Sequence, residues 1–188
     1  MINQDDPRFQ PLWRFQDRTL EQAATILGFV RSSKTDREPF YGLHDRQLIQ
    51  LSTLLHEFSF NARKAIELAE QQRPGVIQAA KKARLKSAGT SFQPDVGDTR
   101  QITITAESFW WIICRLVHST DTFVDGSWDV DVDFRGRQWS TFLPRFFGFR
   151  SDLDATQTSH YICVEDLLEC FVVHIDPLIV QAYCPRKA

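Results

Sequence analysis

The sequence predicts a mainly α single domain: a four- or five-helix bundle over residues 1–188 with a small β-hairpin inserted at about 128–143. Three observations carry this. Leu48, Leu51, Leu55, Phe58, Ala62, Ala65 and Ala69 recur at spacings of three and four, which set all seven on one stripe of a helix. Trp128, Val130, Val132 and Phe134 alternate with Asp129, Asp131 and Asp133, the period of a half-buried strand. A chain of 188 residues with 43% hydrophobic and 24% charged residues is also long enough to close one core, burying roughly 70% of its unfolded surface without disulfides or metal.

The first helix is expected to start at Thr19, because Thr19 and Gln22 have capping-box spacing and Leu20, Ala23, Ala24, Leu27 and Val30 follow as a stripe. Pro39 and Gly42 break the pattern. The second helix spans residues 45–72 and stops at Pro74-Gly75. Its 28 residues would extend about 42 Å, with a seam that changes from Leu and Phe to Ala halfway. Small residues there admit a close partner helix. A bundle seam explains this run more simply than an intermolecular coiled coil.

Residues 75–87 read as a short basic helix and 88–100, with Gly89, Pro94 and Gly97, as a loop. Ile102 and Ile104 alternate with threonines as a short strand or helix entry. A further helix is expected from about Thr105 to Val124, buried through Phe109, Ile112, Ile113, Leu116, Thr120 and Phe123. Residues 138–143 return as the second strand of the hairpin. A last helix runs over about 160–175, with Leu167, Leu168, Phe171 and Val172 inward, and ends or kinks at Asp176-Pro177.

Net charge is −2 at pH 7, so bulk charge does not mark a polyanion binder. The distribution is segregated. Residues 63–86 balance at +5, 121–133 at −5 and 134–150 at +4, which predicts a patterned surface field. Cys114, Cys163, Cys170 and Cys184 form no C-x-x-C pair and sit in apolar runs, as expected of buried thiols in a reducing compartment. The first residues lack a basic n-region and an apolar h-region, and no run reaches the roughly 20 apolar residues of a spanning helix. A cytoplasmic protein without membrane insertion or cofactor is expected.

Four groups of residues bear on function. His160, Cys163, Cys170 and His174 fall on one helical face, but His160 to His174 would cover about 21 Å of axis. Ligands of one zinc ion lie near 2.0–2.3 Å from it, so only Cys170 and His174 could share a metal. Asp129, Asp131 and Asp133 project from one side of a strand, about 6.6 Å apart, where a divalent cation would relieve their repulsion. A solvated face that discourages edge pairing accounts for them more simply. Arg115, His118, Asp121 and Asp125 share a helix face with Trp111 and Cys114. A histidine flanked by carboxylates can act as a general base, whereas the Trp and Cys point to a packed face or protein contact.

The fourth group is residues 134–150, with six aromatics and four arginines in 17 residues, Arg135, Arg137, Trp139, Arg145, Phe146 and Arg150 among them. Arginine and aromatic rings dominate interface hot spots and single-stranded nucleic-acid platforms. Lys81, Lys82, Arg84 and Lys86 of the basic helix would add positive charge. The common nucleotide-binding and hydrolase signatures do not occur in the sequence.

The run His56-Glu57-Phe58-Ser59-Phe60-Asn61-Ala62-Arg63-Lys64-Ala65-Ile66-Glu67-Leu68-Ala69 resembles a helix of HEPN-type helical domains. These are bundles common in prokaryotic toxin and defence systems. The resemblance implies either a non-catalytic binder or a metal-independent ribonuclease with an arginine–histidine pair at a dimer interface. Arg37 with His44, or Arg115 with His118, are the pairs it would single out. The leading expectation is a non-enzymatic interaction module that binds a protein partner or RNA through the Arg/aromatic segment and the basic helix. The alternatives are the HEPN-like ribonuclease and a divalent-metal enzyme built on the Asp cluster, and a homodimer is possible.

Overall fold

The computed structural model describes residues 7, 9–31, 44–85, 90–92, 107–132, 138–154 and 159–183; for residues 31, 44–45, 47–48, 90–92, 123–132 and 138–146 it describes the backbone alone. The architecture is a mainly helical bundle carrying an antiparallel sheet, as the sequence predicts. Helix α1 is Gln10–Arg31, α2 is His44–Gln72 and α3 is Val76–Lys82. Strand β1 (Thr90–Phe92) precedes α4 (Phe109–Val117), β2 (Ser119–Val132), β3 (Gln138–Ser151) and β4 (Ser159–Cys163). The chain closes with α5 (Val164–Cys170), one π-helical turn (Phe171–Ile175) and α6 (Asp176–Tyr183).

Helix α2 is the axis of the core. Leu51, Leu55, Phe58, Ala62, Ala65 and Ala69 are all fully buried, so the 3–4 stripe is the seam. Helix α1 packs on it through Leu12, Ala23 and Ile26, and α4 packs on it through Phe109, Ile112, Ile113 and Leu116. Phe171 closes the centre, 5.5 Å from Phe58 and 6.0 Å from Phe109 between ring centroids. The buried Gln16 amide donates to Asp176 and accepts from the Tyr183 hydroxyl, which ties α1 to α6, whereas the buried Ser59 hydroxyl has no hydrogen-bond partner among the described residues.

Several boundaries differ from the sequence expectation, and residues 90–92, expected within a loop, pair with β4 as strand β1. Helix α1 starts at Gln10, nine residues before Thr19. Thr19 lies inside the helix and donates to the Phe15 carbonyl, while Gln22 reaches across to Glu57 rather than capping. Helix α4 stops at Val117, capped by Ser108 at its start. The β-branched and acidic residues after it form β2, so the hairpin covers 119–151 rather than 128–143. Residues 159–163 are a strand, and the helix after them starts only at Val164. Asp176-Pro177 does not end that helical run. The Asp176 N–H bonds back to Phe171, five residues away, and a π turn of this kind accommodates the ladder bond that Pro177 cannot make. The entry predicted at 102–105 lies outside the described residues.

The sheet order is β1-β4-β3-β2, antiparallel throughout. Strand β4 pairs with β3 only from Phe146 to Phe149, whereas β2 and β3 stay paired out to Val132 and Gln138. The ribbon therefore runs about 20 Å past the last β3–β4 pair.

Candidate functional site

The base of the ribbon is bound to the helices by a compact polar network. Asp154, in the turn after β3, accepts from Arg115 Nε of α4 at 2.9 Å with one oxygen. Its other oxygen lies 2.6 Å from Nε2 of His160 on β4. The Arg115 guanidinium stacks 3.8 Å above the Trp111 ring. His160 sits between Trp111 (5.0 Å, edge-on) and Phe149 (5.4 Å). The Asp154 side chain is 12% exposed and that of His160 6%. A carboxylate shared between a guanidinium and an imidazole suits acid–base work in principle. Here the imidazole is enclosed by two rings and its Nε2 is already engaged, so the network acts as a tie between α4, β3 and β4.

Two further contacts join α2 to the start of β2. Nε2 of His56 lies 2.7 Å from Ser119 Oγ, and that hydroxyl also donates to the Leu116 carbonyl at 3.0 Å. His56 Nδ1 also lies 3.3 Å from the Ser52 carbonyl, so the direction of the His56–Ser119 contact follows the ring tautomer, and the pair ties α2 to the start of β2. Ser52 and Thr122 hydroxyls meet at 2.7 Å.

Arg115 and His118 do not act together. Arg115 turns to Asp154, whereas His118 Nδ1 lies 3.5 Å from Asp152. Arg37 lies outside the described residues, and His44 opens α2 with only its backbone described. His160 and Cys163 belong to a strand and Cys170 and His174 to the helical run, so the four share no helix face. Burial, with Asp166 and Glu169 adding to it, pushes the Cys170 thiol up to about 11. Burial also raises Cys114. Among the described residues no group of three or more His, Cys, Asp or Glu side chains is placed to hold a metal ion, and Cys114, Cys163 and Cys170 are free. Of the Asp cluster, Asp129 and Asp131 are placed by backbone register alone and Asp133 lies outside.

The basic helix and the ribbon sit at opposite ends of α4. Lys81 and Lys82 are exposed at the end of α3, and Arg84 bridges Ser108 just before α4 begins. The ribbon starts at Ser119, after α4 ends; the nine-residue helix between them is about 14 Å long. Lys86, Arg135 and Arg137 lie outside the described residues.

The register of the ribbon changes the reading of its charge. Asp121 faces Arg150, Asp125 faces Phe146, Asp129 faces Thr141 and Asp131 faces Trp139. Asp121 and Arg150 approach to 3.8 Å, and Arg150 Nε also donates to Ser159 at 3.1 Å. At the base of the ribbon the acidic strand and the arginine-bearing strand thus meet in an ion pair, Asp121 with Arg150. Cross-strand partners share a face, so Trp128 with Phe142 and Val130 with Ser140 continue the face on which Phe147 and Phe149 are fully buried. Trp139 and Leu143 fall on the opposite face with Asp131 and Ser127. Beyond the β4 pairing, both outer edges of the ribbon lack a strand partner among the described residues. No helix among the described residues is long and apolar enough to cross a membrane. Comparison with known proteins finds no matching family model, curated protein or solved structure.

Proposed function

We propose that this chain is a non-enzymatic interaction module that binds a partner protein through the outer part of the β2–β3 ribbon. The observation that carries this reading is the ribbon itself, which continues past the sheet with large apolar residues on both of its faces. An isolated two-stranded ribbon is marginal in water, and unpaired edges are templates for another strand. A bound partner would supply both missing contacts.

Protein is favoured over RNA because the arginine of β3 nearest the base is paired with Asp121 and Ser159, and β2 brings four aspartates and no basic residue alongside. A strand so acidic repels phosphate. It also disfavours pairing of β2 with the β2 edge of a second copy, which would set two acidic strands side by side. The partner is then a different chain, met in the cytoplasm, where cysteines with raised pKa remain reduced.

The test is purification of wild type and of Trp128→Ser/Phe142→Ser under gentle conditions, with and without ribonuclease. A stoichiometric protein retained by wild type, insensitive to ribonuclease and lost from the variant at unchanged Tm, is expected. A ribonuclease-sensitive complex whose affinity falls steeply with salt would replace this reading with the RNA one. Retention of the partner by the variant would remove the ribbon from the interface.

A further inference from the structure

A second surface, remote from the ribbon, has the chemistry of a peptide site. Against the start of α1 and the middle of α2 lies an open groove of about 460 Å³, within the size range of ligand sites. Pro7, Pro11 and Phe15 make it apolar, Arg14 and Arg18 stand along one side, and Asn61 borders it from α2. Phe60 is 46% exposed and meets Phe15 edge-on, with centroids 6.3 Å apart. A half-exposed phenylalanine beside a half-buried one is apolar surface left in water.

The charge in the groove has one sign. Among the described residues that line it, the ionisable ones are both arginines. Helical spacing puts Asp17 and Glu21 on the far side of Arg14 from Phe15. Glu57 is held by Gln22, whose carbonyl in turn accepts from Asn61, each at 2.9 Å. Arg18 contacts Glu21 at 3.3 Å, but both side chains are more than half exposed, and a pair in full solvent is surrendered easily to a better acceptor. Guanidinium groups grip carboxylates bidentately. Because acids flank the arginines along α1, the surface does not extend as a positive track, and a long phosphate backbone would meet repulsion on leaving the groove.

We infer that this groove binds a short acidic segment of a partner protein, with an aromatic or aliphatic side chain set against Phe15 and Phe60 and flanking carboxylates on Arg14 and Arg18. The site is independent of the ribbon.

Fluorescence anisotropy with labelled probes tests it. The probes are a short peptide alternating Asp with Phe and Leu, its Lys-for-Asp counterpart, its Ser-for-Phe/Leu counterpart, and an oligouridylate. The acidic apolar peptide is expected to bind saturably, and both counterparts and the oligonucleotide to bind at least about tenfold more weakly. Arg14→Glu/Arg18→Glu and Phe60→Ser should each weaken it by about tenfold or more at unchanged Tm. Trp128→Ser/Phe142→Ser should bind it like wild type, which separates this inference from the ribbon reading. Equal binding of the basic peptide or the oligonucleotide, wild-type affinity in Arg14→Glu/Arg18→Glu, or no saturation of the acidic peptide by about 1 mM would each overturn the inference.

Discussion

Asp154 and His160 form a 2.6 Å contact between the end of β3 and β4, and the other oxygen of the same carboxylate holds Arg115 of α4. One small side chain therefore fastens the sheet to the bundle. Asp154→Ala should leave a largely enclosed guanidinium and imidazole without their acceptor and lower stability by about 2–3 kcal/mol. Asp154→Asn, which keeps one acceptor, should fall between. Urea unfolding followed by tryptophan fluorescence measures both, and a loss below about 0.5 kcal/mol for the alanine variant would show the tie to be dispensable.

Gly28 of α1 and Gly75 at the start of α3 should respond to substitution in opposite directions. Gly28 is exposed inside α1 and a methyl group there would meet nothing within 4 Å. Gly28→Ala should stabilise by about 0.5–1 kcal/mol. Gly75, just before α3, has open space too, but its φ is +104°. Gly75→Ala should destabilise by about 1 kcal/mol or more through backbone strain alone. Thermal melts of the two variants against wild type decide the matter.

Glu70 caps α3 from the end of α2. Its carboxylate accepts the N–H groups of Gly75 at 2.9 Å and Ile77 at 2.7 Å, and these bonds, Gly75 first, hold its pKa below the ordinary 4.5. A carboxyl depressed by folding contributes stability in full above its unfolded value and loses it as pH falls through its folded value. Glu70→Gln mimics the protonated acid. Its Tm should lie below wild type at pH 7, and the gap should close as pH falls below the ordinary carboxyl value and through the lowered folded one. A gap of constant size across that range would contradict the capping role.

Cys170 should be a poor nucleophile while the protein is folded. Its thiol is 4% exposed and raised to about 11, so on the order of one part in a thousand is thiolate at pH 8. Alkylation mapped by peptide mass should label Cys170 far more slowly in buffer than in urea. Equal rates would show that this end of α5 opens freely.

The seam of α2 was legible because period alone specifies it: Leu51, Leu55, Phe58, Ala62, Ala65 and Ala69 are buried as their spacing requires. The inward face of α4 was legible for the same reason, through Phe109, Ile112, Ile113 and Leu116. Its end was not. Thr120 and Phe123 fit a helical stripe and a strand equally, and the pairing of β2 with β3 decides between them. Thr19 and Gln22 have capping spacing but act within the helix and across to α2, because partners outside the local window won. The network at Asp154 left no trace in the sequence. Its three members come from the end of β3 and two different elements, whereas proximity along the chain pairs Arg115 with His118. The ribbon was seen as alternation, but the pairing of its acidic strand with the arginine-bearing one depends on a register that composition does not reveal.

Between Asp125 and Gly126 the ribbon skips one residue of β3: Asp125 faces Phe146, Gly126 faces Pro144, and Arg145 has no opposite number. Counted along the chain, Phe142 and Phe147 are an odd number of positions apart and would point away from each other in an unbroken strand. The additional residue restores their agreement, so the apolar surface sealed beneath the helices emerges beyond them without changing sides. The same elbow sits where β4 leaves off, and such irregularities bend and twist the strand that holds them. Whatever grasps the outer half of the hairpin thus approaches at an angle set by one arginine, and removing that residue would re-aim the arm while leaving its tip intact.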